Sequence, residues 1–459
     1  MSKKDQGITY TSSGERFSYV LYYFGQLIFY IIVTSFLNLF LSDIGIPAAI
    51  IAGLLIITKV WDAVNDPIFG VIVDKVNLKR GKYIPWVRIS TFLIPITTVL
   101  IFCIPSTLSD PVKIVFAVGT YVLWDTAYTL CDIPIYALPT SMTANIGERD
   151  RLYINSKLTA FLGGLLATIA VPLLYPNLGW PIAAILLAVL GLLTMLPLCF
   201  KAKERFFVNE EKNPSLKELA KYLVKNKYLF VYHGALILVA LSNTASPAQP
   251  FVAIHCLGGP EQMAIIGLVA MVPMIVAVLV AKPLLDRIDK VFVAIACMIG
   301  SMLIGVILYF VGYESLVLVY VLVAFRAIFG GMSVVLVAMF TADCAEYGNF
   351  RSGERAQGVT FAIQTFTAKM TAALSGSIFM LLLGIVGFVE GEGVVQTAEV
   401  VSSIWVLYTL IPLVTGVLAC LLLGFAYKLR QKDVAIMIRV NKGELTSEEA
   451  ESLMSRKYK

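Results

Sequence analysis

The sequence predicts an all-α membrane protein in which twelve transmembrane helices form two six-helix bundles. Of the 459 residues, 58% are hydrophobic and only 14% are charged, and the mean hydropathy is +0.83. Soluble domains carry about 25% charged residues, so this composition indicates a polytopic membrane protein. Apolar segments long enough to cross a bilayer recur about twelve times.

These apolar segments give the order of the predicted helices. We place them at residues 17–41, 47–75, 84–104, 111–143, 153–175, 178–200, 228–254, 261–285, 290–311, 315–346, 354–388 and 402–428. A charged stretch separates the sixth from the seventh. The predicted domains are a first bundle at 1–200, a middle loop at 201–227, a second bundle at 228–429 and a cytoplasmic tail at 430–459. We expect the tail to be a solvated appendage with a short helix capped at Thr446.

The distribution of basic residues predicts which side of the membrane each loop faces. With a cytoplasmic N-terminus, 32 of the 36 Lys and Arg residues fall in the termini and the cytoplasmic loops. The outer loops contain Lys113, and the other three, Lys59, Arg326 and Lys369, lie inside helices. Basic residues accumulate on the cytoplasmic side of membrane proteins. We therefore expect both termini in the cytoplasm and the protein in the cell membrane.

The composition also argues against several classes of function. No basic patch lies on a soluble domain, so nucleic-acid binding is not expected. The seven Cys are dispersed without a CxxC pair and there are two His, which argues against a disulfide framework and a zinc site. No nucleophile and base are arranged for catalysis, so we expect neither an enzyme nor a resident cofactor. The uncharged segment from Phe17 to Ser42 is too long for a signal peptide.

The second apolar segment contains an unusual group of polar residues. Asp62 and Asp66 are four residues apart and Asn65 is three from Asp62, so all three share one helix face. Two carboxylates and an amide oxygen in a dry interior are suitable ligands for a small hard cation or a proton. The segment therefore predicts a cation site.

The fourth segment repeats this pattern. Asp125, Thr129 and Asp132 lie at i, i+4 and i+7, and Pro134 frees a backbone carbonyl near Asp132. Together with the second segment, Thr129 and Asp132 supply five or more oxygens, enough for a sodium-sized ion. The alternative is that the carboxylates pair with intramembrane lysines and only stabilise packing. Such pairs are costly in a membrane interior, which favours a functional role.

Other intramembrane residues are candidates for substrate contact. Thr365 and Lys369 share one face of the eleventh segment, and Lys369 lies near the middle of its apolar run. A lysine that snorkels to the interface is the alternative. For Arg326, the sequence is equally compatible with an ion pair to an acid of the same bundle and with contact to the substrate. Among the aromatic residues, Tyr136 is the one for which we favour sugar contact over packing.

Acid–base pairs recur in the loops after the second and eighth segments. The first loop contains Asp74 and Arg80, and residues 286–290 of the second contain two further pairs, which indicates two related halves. Such pairs can latch helix ends and be released when the halves rock against each other. Ordinary topology-setting charges explain the basic residues but not Asp74. We therefore predict a gating role for Asp74 and Arg80.

Three stretches resemble a known transporter family. They are WDAVNDPIFGVIVDKVNLKRGKYIPW at 61–86, YTLCDIPIYALPT at 128–140, and DCAEYGNFRSGERAQG at 343–358 followed by Lys369. They resemble the glycoside–pentoside–hexuronide:cation symporters, the melibiose-permease-like branch of the major facilitator superfamily, over essentially all twelve helices. The resemblance implies a cation site at Asp62, Asn65, Asp66, Thr129 and Asp132. It also implies a neighbouring sugar site that uses Asp132, Tyr136, Lys157, Thr365 and Lys369.

The residues predicted for the sugar site depart from the pattern of this family. Melibiose-type carriers have an acid in helix one where this chain offers Gln26, an Arg where it has Lys157, and a Trp where it has Tyr136. Asp125 is an extra acid where melibiose permease has a small residue. We assign Gln26 and Asp125 to the substrate site with the other residues. The retained lysines allow an acidic sugar and Asp125 argues against one, so the charge of the substrate stays open.

The expected function is symport of a sugar or glycoside with a monovalent cation, by alternating access between the two bundles. Sodium is favoured because Asn65 and Thr129 add neutral oxygens that a proton does not require. A proton-coupled glycoside or hexuronide symporter is the alternative. Two further alternatives belong to other functional classes. One is a sugar sensor that binds without transport, and the other is a lipid carrier on the same fold. The expected partners are the sugar, the cation and the lipid bilayer, and the expected state is a monomer.

Overall fold

The computed structural model describes residues 10–75, 81–206, 225–353, 357–391, 393–441 and 443–455. Over these residues the chain forms fifteen α-helices and no β-strand. The helices are α1 (Ser13–Asp43), α2 (Ala48–Lys75), α3 (Ile84–Phe102), α4 (Asp110–Met142), α5 (Ile146–Lys201), α6 (Lys227–Ser242), α7 (Ala245–His255), α8 (Glu261–Leu285), α9 (Lys290–Val311), α10 (Leu316–Ser352), α11 (Gln357–Ile385), α12 (Ala398–Thr409), α13 (Ile411–Ala426), α14 (Gln431–Asn441) and α15 (Ser447–Leu453).

The described helices account for the twelve predicted crossings. Ten helical runs within the described residues are long and apolar enough to span a bilayer. One of them, α5, contains two crossings because Gly179 (φ 79°, ψ 159°) breaks it. The 28-residue α2 supplies another. α6 with α7, and α12 with α13, each form one interrupted crossing. The predicted all-helical membrane fold is therefore confirmed.

The chain divides into two compact units. The first consists of Met1–Glu210, Gly258–Gly267 and Leu383–Thr397, and the second of Glu211–Leu257, Leu268–Leu382 and Ala398–Lys459. Two short segments from the second half of the sequence thus belong to the first unit. Most of the predicted middle loop lies outside the described residues, and the predicted domain boundaries stay predictions.

The first unit is built on close contact between α1 and α5. A Cβ atom on Gly163 of α5 would collide with the backbone carbonyl of Phe24, and one on Gly25 would collide with Thr194 and Met195. Glycine at these points lets the two helix backbones approach without steric overlap. This packing fixes the position of α1, which carries Gln26 toward α4.

Carboxylates fix helix ends at one end of the first unit. Glu204 accepts hydrogen bonds from the backbone amides at the start of α3, with distances of 2.9 Å from Lys82, 2.8 Å from Tyr83 and 2.7 Å from Ile84. Glu148 likewise accepts from the amides of Tyr10 and Thr11, each at 3.1 Å. Exposed amides at a helix start favour negative charge. These acids therefore hold separate helices together at this end.

The tail packs into the second unit, and the expectation of a solvated appendage is wrong. Met437 of α14 and Ala450 of α15 are buried among aromatic residues of α6, α10 and the end of α13. Asn441 Nδ2 donates to the Glu346 carboxylate at 2.8 Å, which ties α14 to α10. Apolar burial along one side of α14 holds the tail in place. The predicted cap at Thr446 is present as a capping box with Glu449, and its hydrogen bonds lower the pKa of Glu449.

The acid–base loop of the second unit makes its pairs within that unit. Lys290 at the start of α9 forms a buried ion pair with Asp343 of α10. Asp289 lies 3.7 Å from Arg430, which precedes α14, and accepts a hydrogen bond from the amide of Val291. This loop therefore connects α9 to α10 and to the tail. In the first half, Arg80 and the side chain of Asp74 lie outside the description, so their gating role stays a prediction.

Arg326 supports a break in the last membrane crossing. Pro412 has no N–H, so the carbonyl of Tyr408, four residues earlier, has no helical donor. Arg326 Nη1 donates to that carbonyl at 3.3 Å, and its guanidinium lies 5.5 Å from the centre of the Tyr408 ring. Thr244, at the interruption between α6 and α7, donates to the neighbouring carbonyl of Leu407. Among the described residues Arg326 pairs with this carbonyl and not with an acid.

Candidate functional site

Helices α2 and α4 lie side by side and run in the same direction. Trp61 Nε1 donates to Thr126 Oγ1 at 3.3 Å, and one turn further along both helices Asn65 Nδ2 donates to Thr129 Oγ1 at 2.9 Å. Residue numbers increase together at the two contacts, which establishes a parallel register. This register brings the polar face of α2 onto the polar face of α4.

The polar side chains at this junction are buried. Their exposed fractions are 3% for Asp62, 1% for Asn65, 6% for Asp125 and 5% for Thr129. Asn65 Nδ2 also lies 3.5 Å from Asp125 Oδ2, so its amide is between Asp125 and Thr129. Burial of two carboxylates is costly unless charge of the opposite sign is close by. The predicted cation-site residues Asn65 and Thr129 are thus in direct contact, and Asp62 is buried one helix turn before Asn65 on α2.

The side-chain oxygen of Asn65 is the clearest sign of a ligand position. Asn65 Oδ1 is buried and has no hydrogen-bond partner among the side chains and backbone that the structure describes. The amide orientation is supported by Asp125, because a carboxylate accepts hydrogen bonds and therefore selects the NH₂ group. A buried acceptor is normally satisfied by a donor, a water or an ion. A sodium-sized cation, which prefers oxygen ligands, would satisfy it.

The predicted oxygen set is only partly described. Asp66 belongs to α2, but its side chain lies outside the description. Among the described residues, no group of three His, Cys, Asp or Glu side chains is arranged to hold a metal ion. The described oxygen atoms at this junction include the amide oxygen of Asn65 and the hydroxyl of Thr129 besides the carboxylates of Asp62 and Asp125.

Asp132 is held by a residue from another helix. Gln26 Nε2 of α1 donates to Asp132 Oδ1 at 2.6 Å. The backbone carbonyl of Gln26 in turn accepts from Tyr128 Oη at 3.3 Å. Gln26 is buried and Asp132 is half-buried. The amide that stands where melibiose-type carriers have an acid thus donates to the aspartate of α4.

Tyr136 and Lys157 form a second pair near Asp132. Lys157 Nζ of α5 donates to Tyr136 Oη at 3.0 Å and lies 4.7 Å from the centre of that ring. Tyr136 is 43% exposed and Lys157 is also exposed. Tyr153 Oη donates to the Tyr136 carbonyl at 2.9 Å, and the Tyr23 ring packs edge-on against Tyr136. An accessible ring beside an ammonium group offers stacking and charge to a sugar.

The remaining residues predicted for the substrate site lie on α4 and α11. Asp125 is brought to Asn65, two helix turns away along α4 from Asp132, a rise of about 10 Å. Thr365 and Lys369 lie on α11 in the second unit, with the side chain of Thr365 outside the description and Lys369 half-buried. Their predicted substrate contacts stay predictions.

Two contacts at the site were absent from the sequence interpretation. Trp61 with Thr126 sets the register of α2 against α4, and Tyr153 supports Tyr136 from α5. Thr126 lies next to Asp125 in a helix already identified as polar, so inspection of neighbouring hydroxyls could have suggested it. No sequence signal points to Tyr153.

Comparison with known proteins agrees with this architecture. Residues 18–431 match the family described as MFS/sugar transport protein. The glucuronide carrier protein homolog of Escherichia coli (strain K12) is 28% identical over 420 residues, which cover 88% of this chain and 90% of that protein. The isoprimeverose transporter of Lactiplantibacillus pentosus is 26% identical over 428 residues, covering 90% and 88% respectively.

A solved structure supports the fold independently. The nucleoside transporter NupG superposes with a TM-score of 0.66 at 13% identity, covering 89% of this chain and 99% of that one. At this identity the likeness concerns the fold alone. Since the family match spans most of the sequence, the chain belongs to the MFS/sugar transport family of glycoside–pentoside–hexuronide symporters and is a multi-pass membrane transporter, not an enzyme.

Proposed function

We propose that the protein imports a sugar or glycoside together with sodium. The observation that carries this proposal is the buried Asn65 Oδ1, which lacks a hydrogen-bond partner among the described residues and belongs to an amide that contacts Thr129 and Asp125. A hard monovalent cation would satisfy this oxygen and offset the carboxylate charge. A proton would also neutralise a carboxylate, and the resulting O–H could donate to the amide oxygen, but it would make no use of the further neutral oxygen of Thr129. Proton coupling is therefore the second candidate.

Ion binding between α2 and α4 would prepare Asp132 of α4 for contact with the substrate. The cation reduces repulsion among the buried carboxylates, and Gln26 keeps Asp132 oriented for a sugar hydroxyl. Each ligand then increases the affinity for the other, as coupling requires. A potential of 100 mV supplies about 2.3 kcal/mol per charge, and a tenfold ion gradient adds about 1.4 kcal/mol. One sodium per sugar thus supports accumulation of roughly a few hundredfold.

We further propose that the sugar carries an acidic group. The Lys157 ammonium is exposed and donates to the neutral Tyr136 oxygen, with no ion-pair partner among the described residues. Asp125, the acid that argued against an anionic substrate, contacts Asn65 of α2 instead. A carboxylate or sulfonate on the sugar would complement Lys157. The similarity to a glucuronide carrier homolog agrees with this proposal, whereas the isoprimeverose relative keeps a neutral glycoside as the alternative.

Uptake of a labelled panel into energised vesicles tests the proposal. The panel would contain galactosides, glucosides, xylosides and glucuronides, each with and without sodium at fixed pH. We expect glucuronide uptake that rises with sodium. Uptake that does not depend on sodium and is abolished by a protonophore would show that the coupling ion is the proton and not sodium. Sugar binding without any uptake would indicate a sensor, and transport of lipid instead of sugar would indicate a lipid carrier.

A further inference from the structure

Pro139 interrupts the hydrogen bonding of α4 close to Asp132 and Tyr136. Because proline has no N–H, the carbonyl of Ile135, four residues before Pro139, has no helical donor. Both residues are buried. A buried carbonyl without a donor is costly, and in membrane proteins a group from a neighbouring helix commonly replaces the missing one. The conformation of α4 at this point therefore depends on the group that supplies the donor.

Tyr19 of α1 supplies this donor. Tyr19 Oη donates to the Ile135 carbonyl at 3.1 Å, and the side chain is completely shielded from solvent. Tyr19 Oη also lies 3.1 Å from Tyr23 Oη, and the Tyr23 ring packs edge-on against Tyr136. A phenol has one hydrogen to donate and a carbonyl can only accept, so Tyr23 is the donor in the second contact. The hydroxyl hydrogen of Tyr19 is thus directed to the backbone of α4.

The segment of α4 that this bond holds carries two residues of the predicted sugar site. Tyr136 follows Ile135 directly, and Asp132 lies three residues before Ile135, about one helix turn away. The carbonyl of Tyr136 accepts from Tyr153 Oη of α5 at 2.9 Å. Two consecutive carbonyls of α4 are therefore held by tyrosine hydroxyls from two other helices.

We propose that Tyr19 is a positioning residue of the sugar site. Its hydroxyl replaces the helical hydrogen bond that Pro139 removes, and this bond holds the part of α4 that presents Asp132 and Tyr136 to the sugar. Because Tyr19 is completely buried, it acts through the backbone of α4 and not by contact with the sugar. The proposal rests on the proposed function and deepens it.

A double-mutant cycle with Pro139→Ala tests this role on the purified full-length protein. Alanine at position 139 restores a backbone N–H for the Ile135 carbonyl, so the hydroxyl at position 19 is no longer needed. Binding of labelled phenyl glucuronide is measured at saturating sodium for the wild type, Tyr19→Phe, Pro139→Ala and the double variant. Tyr22→Phe is the matched control, because Tyr22 is also completely buried on α1 but its hydroxyl contacts the Cys131 thiol of α4.

We expect Tyr19→Phe to weaken glucuronide binding about fivefold or more, because the sugar site then adopts its binding geometry less often. In the Pro139→Ala background the same change should alter the affinity less than about twofold. Tyr22→Phe should bind the glucuronide like the wild type. The sodium concentration that half-maximally stabilises the sugar-free protein should stay within about twofold in Tyr19→Phe, since Thr129 lies about 9 Å along α4 from Ile135.

Wild-type glucuronide affinity in Tyr19→Phe overturns the proposal. An equal loss in both backgrounds also overturns it, because the hydroxyl would then act by a route other than the carbonyl that Pro139 frees. A raised sodium requirement in Tyr19→Phe overturns it too, since the damage would extend beyond the sugar site. If Tyr19→Phe does not fold, the double variant decides. Affinity within about twofold of Pro139→Ala supports the proposal, and weaker binding or an unfolded protein overturns it.

Failure of this proposal and failure of the proposed function are distinguishable. A wild type that neither binds nor takes up any sugar of the panel contradicts the proposed function itself. A wild type that binds and transports sugar, with equal affinity in Tyr19→Phe, contradicts the role of Tyr19 alone.

Discussion

Gln26 Nε2 lies 2.6 Å from Asp132 Oδ1 and joins two helices through residues 106 positions apart in the sequence. The contact positions one carboxylate oxygen of Asp132 between α1 and α4. An acid at residue 26 would repel Asp132, whereas the amide stabilises its charge. The chain thus orients this aspartate with an amide at the position where melibiose-type carriers have an acid.

Replacement of Gln26 by Glu should weaken sugar binding. The variant loses a hydrogen bond to a charged group, of about 1.5–3 kcal/mol, so the sugar concentration for half-maximal uptake should rise by roughly ten- to a hundredfold. Uptake kinetics at saturating sodium measure this. Asn177→Ala is the control, since Asn177 is exposed and donates to the Leu173 carbonyl of its own helix. Wild-type sugar affinity in Gln26→Glu would show that this contact does not serve binding.

Replacement of Lys157 by Ala should discriminate between acidic and neutral sugars. Loss of the ammonium beside Tyr136 should lower the affinity for a glucuronide about tenfold or more, with a smaller effect on a neutral glucoside. Competition for labelled uptake measures both, and Lys157→Arg should retain part of the affinity. Lys201→Ala is the control, because it removes an exposed lysine of the same helix. An equal loss for both sugars would contradict recognition of an acidic group.

The side chains proposed for the cation site could be grouped from the sequence because each group lies within a single helix. Asp62 with Asn65, and Asp125 with Thr129, follow from helical spacing without knowledge of the fold. The register of α2 against α4 was not predictable, because it depends on packing between helices. That register places Asp125 beside Asn65, and its predicted substrate contact stays a prediction. Contacts such as Gln26 with Asp132 likewise depend on tertiary structure.

Replacement of Arg326 by Met should reduce stability without changing substrate affinity. The Tyr408 carbonyl loses its donor, and an unsatisfied buried group costs about 1–3 kcal/mol of unfolding free energy. Thermal unfolding should show a lower midpoint, while Arg287→Met at an exposed loop position should resemble the wild type. Loss of sugar affinity at an unchanged midpoint would instead assign Arg326 to substrate contact.

Truncation of Met437 to Ala should destabilise the second unit. The side chain is fully buried where α14 packs, and such deletions typically cost about 2–5 kcal/mol. Thermal unfolding would measure the effect, with Lys432→Ala as the exposed control on the same helix. Equal midpoints for Met437→Ala and the wild type would mean that α14 is detached in the membrane-embedded protein.

Hydrophobicity revealed the membrane crossings but not the packing of the tail. Segments such as 84–104 and 290–311 agree closely with α3 and α9, since long apolar runs leave few alternatives in a bilayer. The tail was misinterpreted because its charged residues dominate its composition. Val434 and Met437, three residues apart, mark the buried side of α14, and that spacing was the overlooked signal.

The most direct test of sodium coupling is the influx of radioactive sodium into proteoliposomes that contain the purified protein. The vesicles start with equal sodium on both sides and no membrane potential, and an inward gradient of a transported sugar is then applied. We predict that sugar entry drives sodium inward, and that Asn65→Ala reduces this sodium entry while the protein stays folded. Sugar entry without accompanying sodium would contradict sodium symport through the site at α2 and α4.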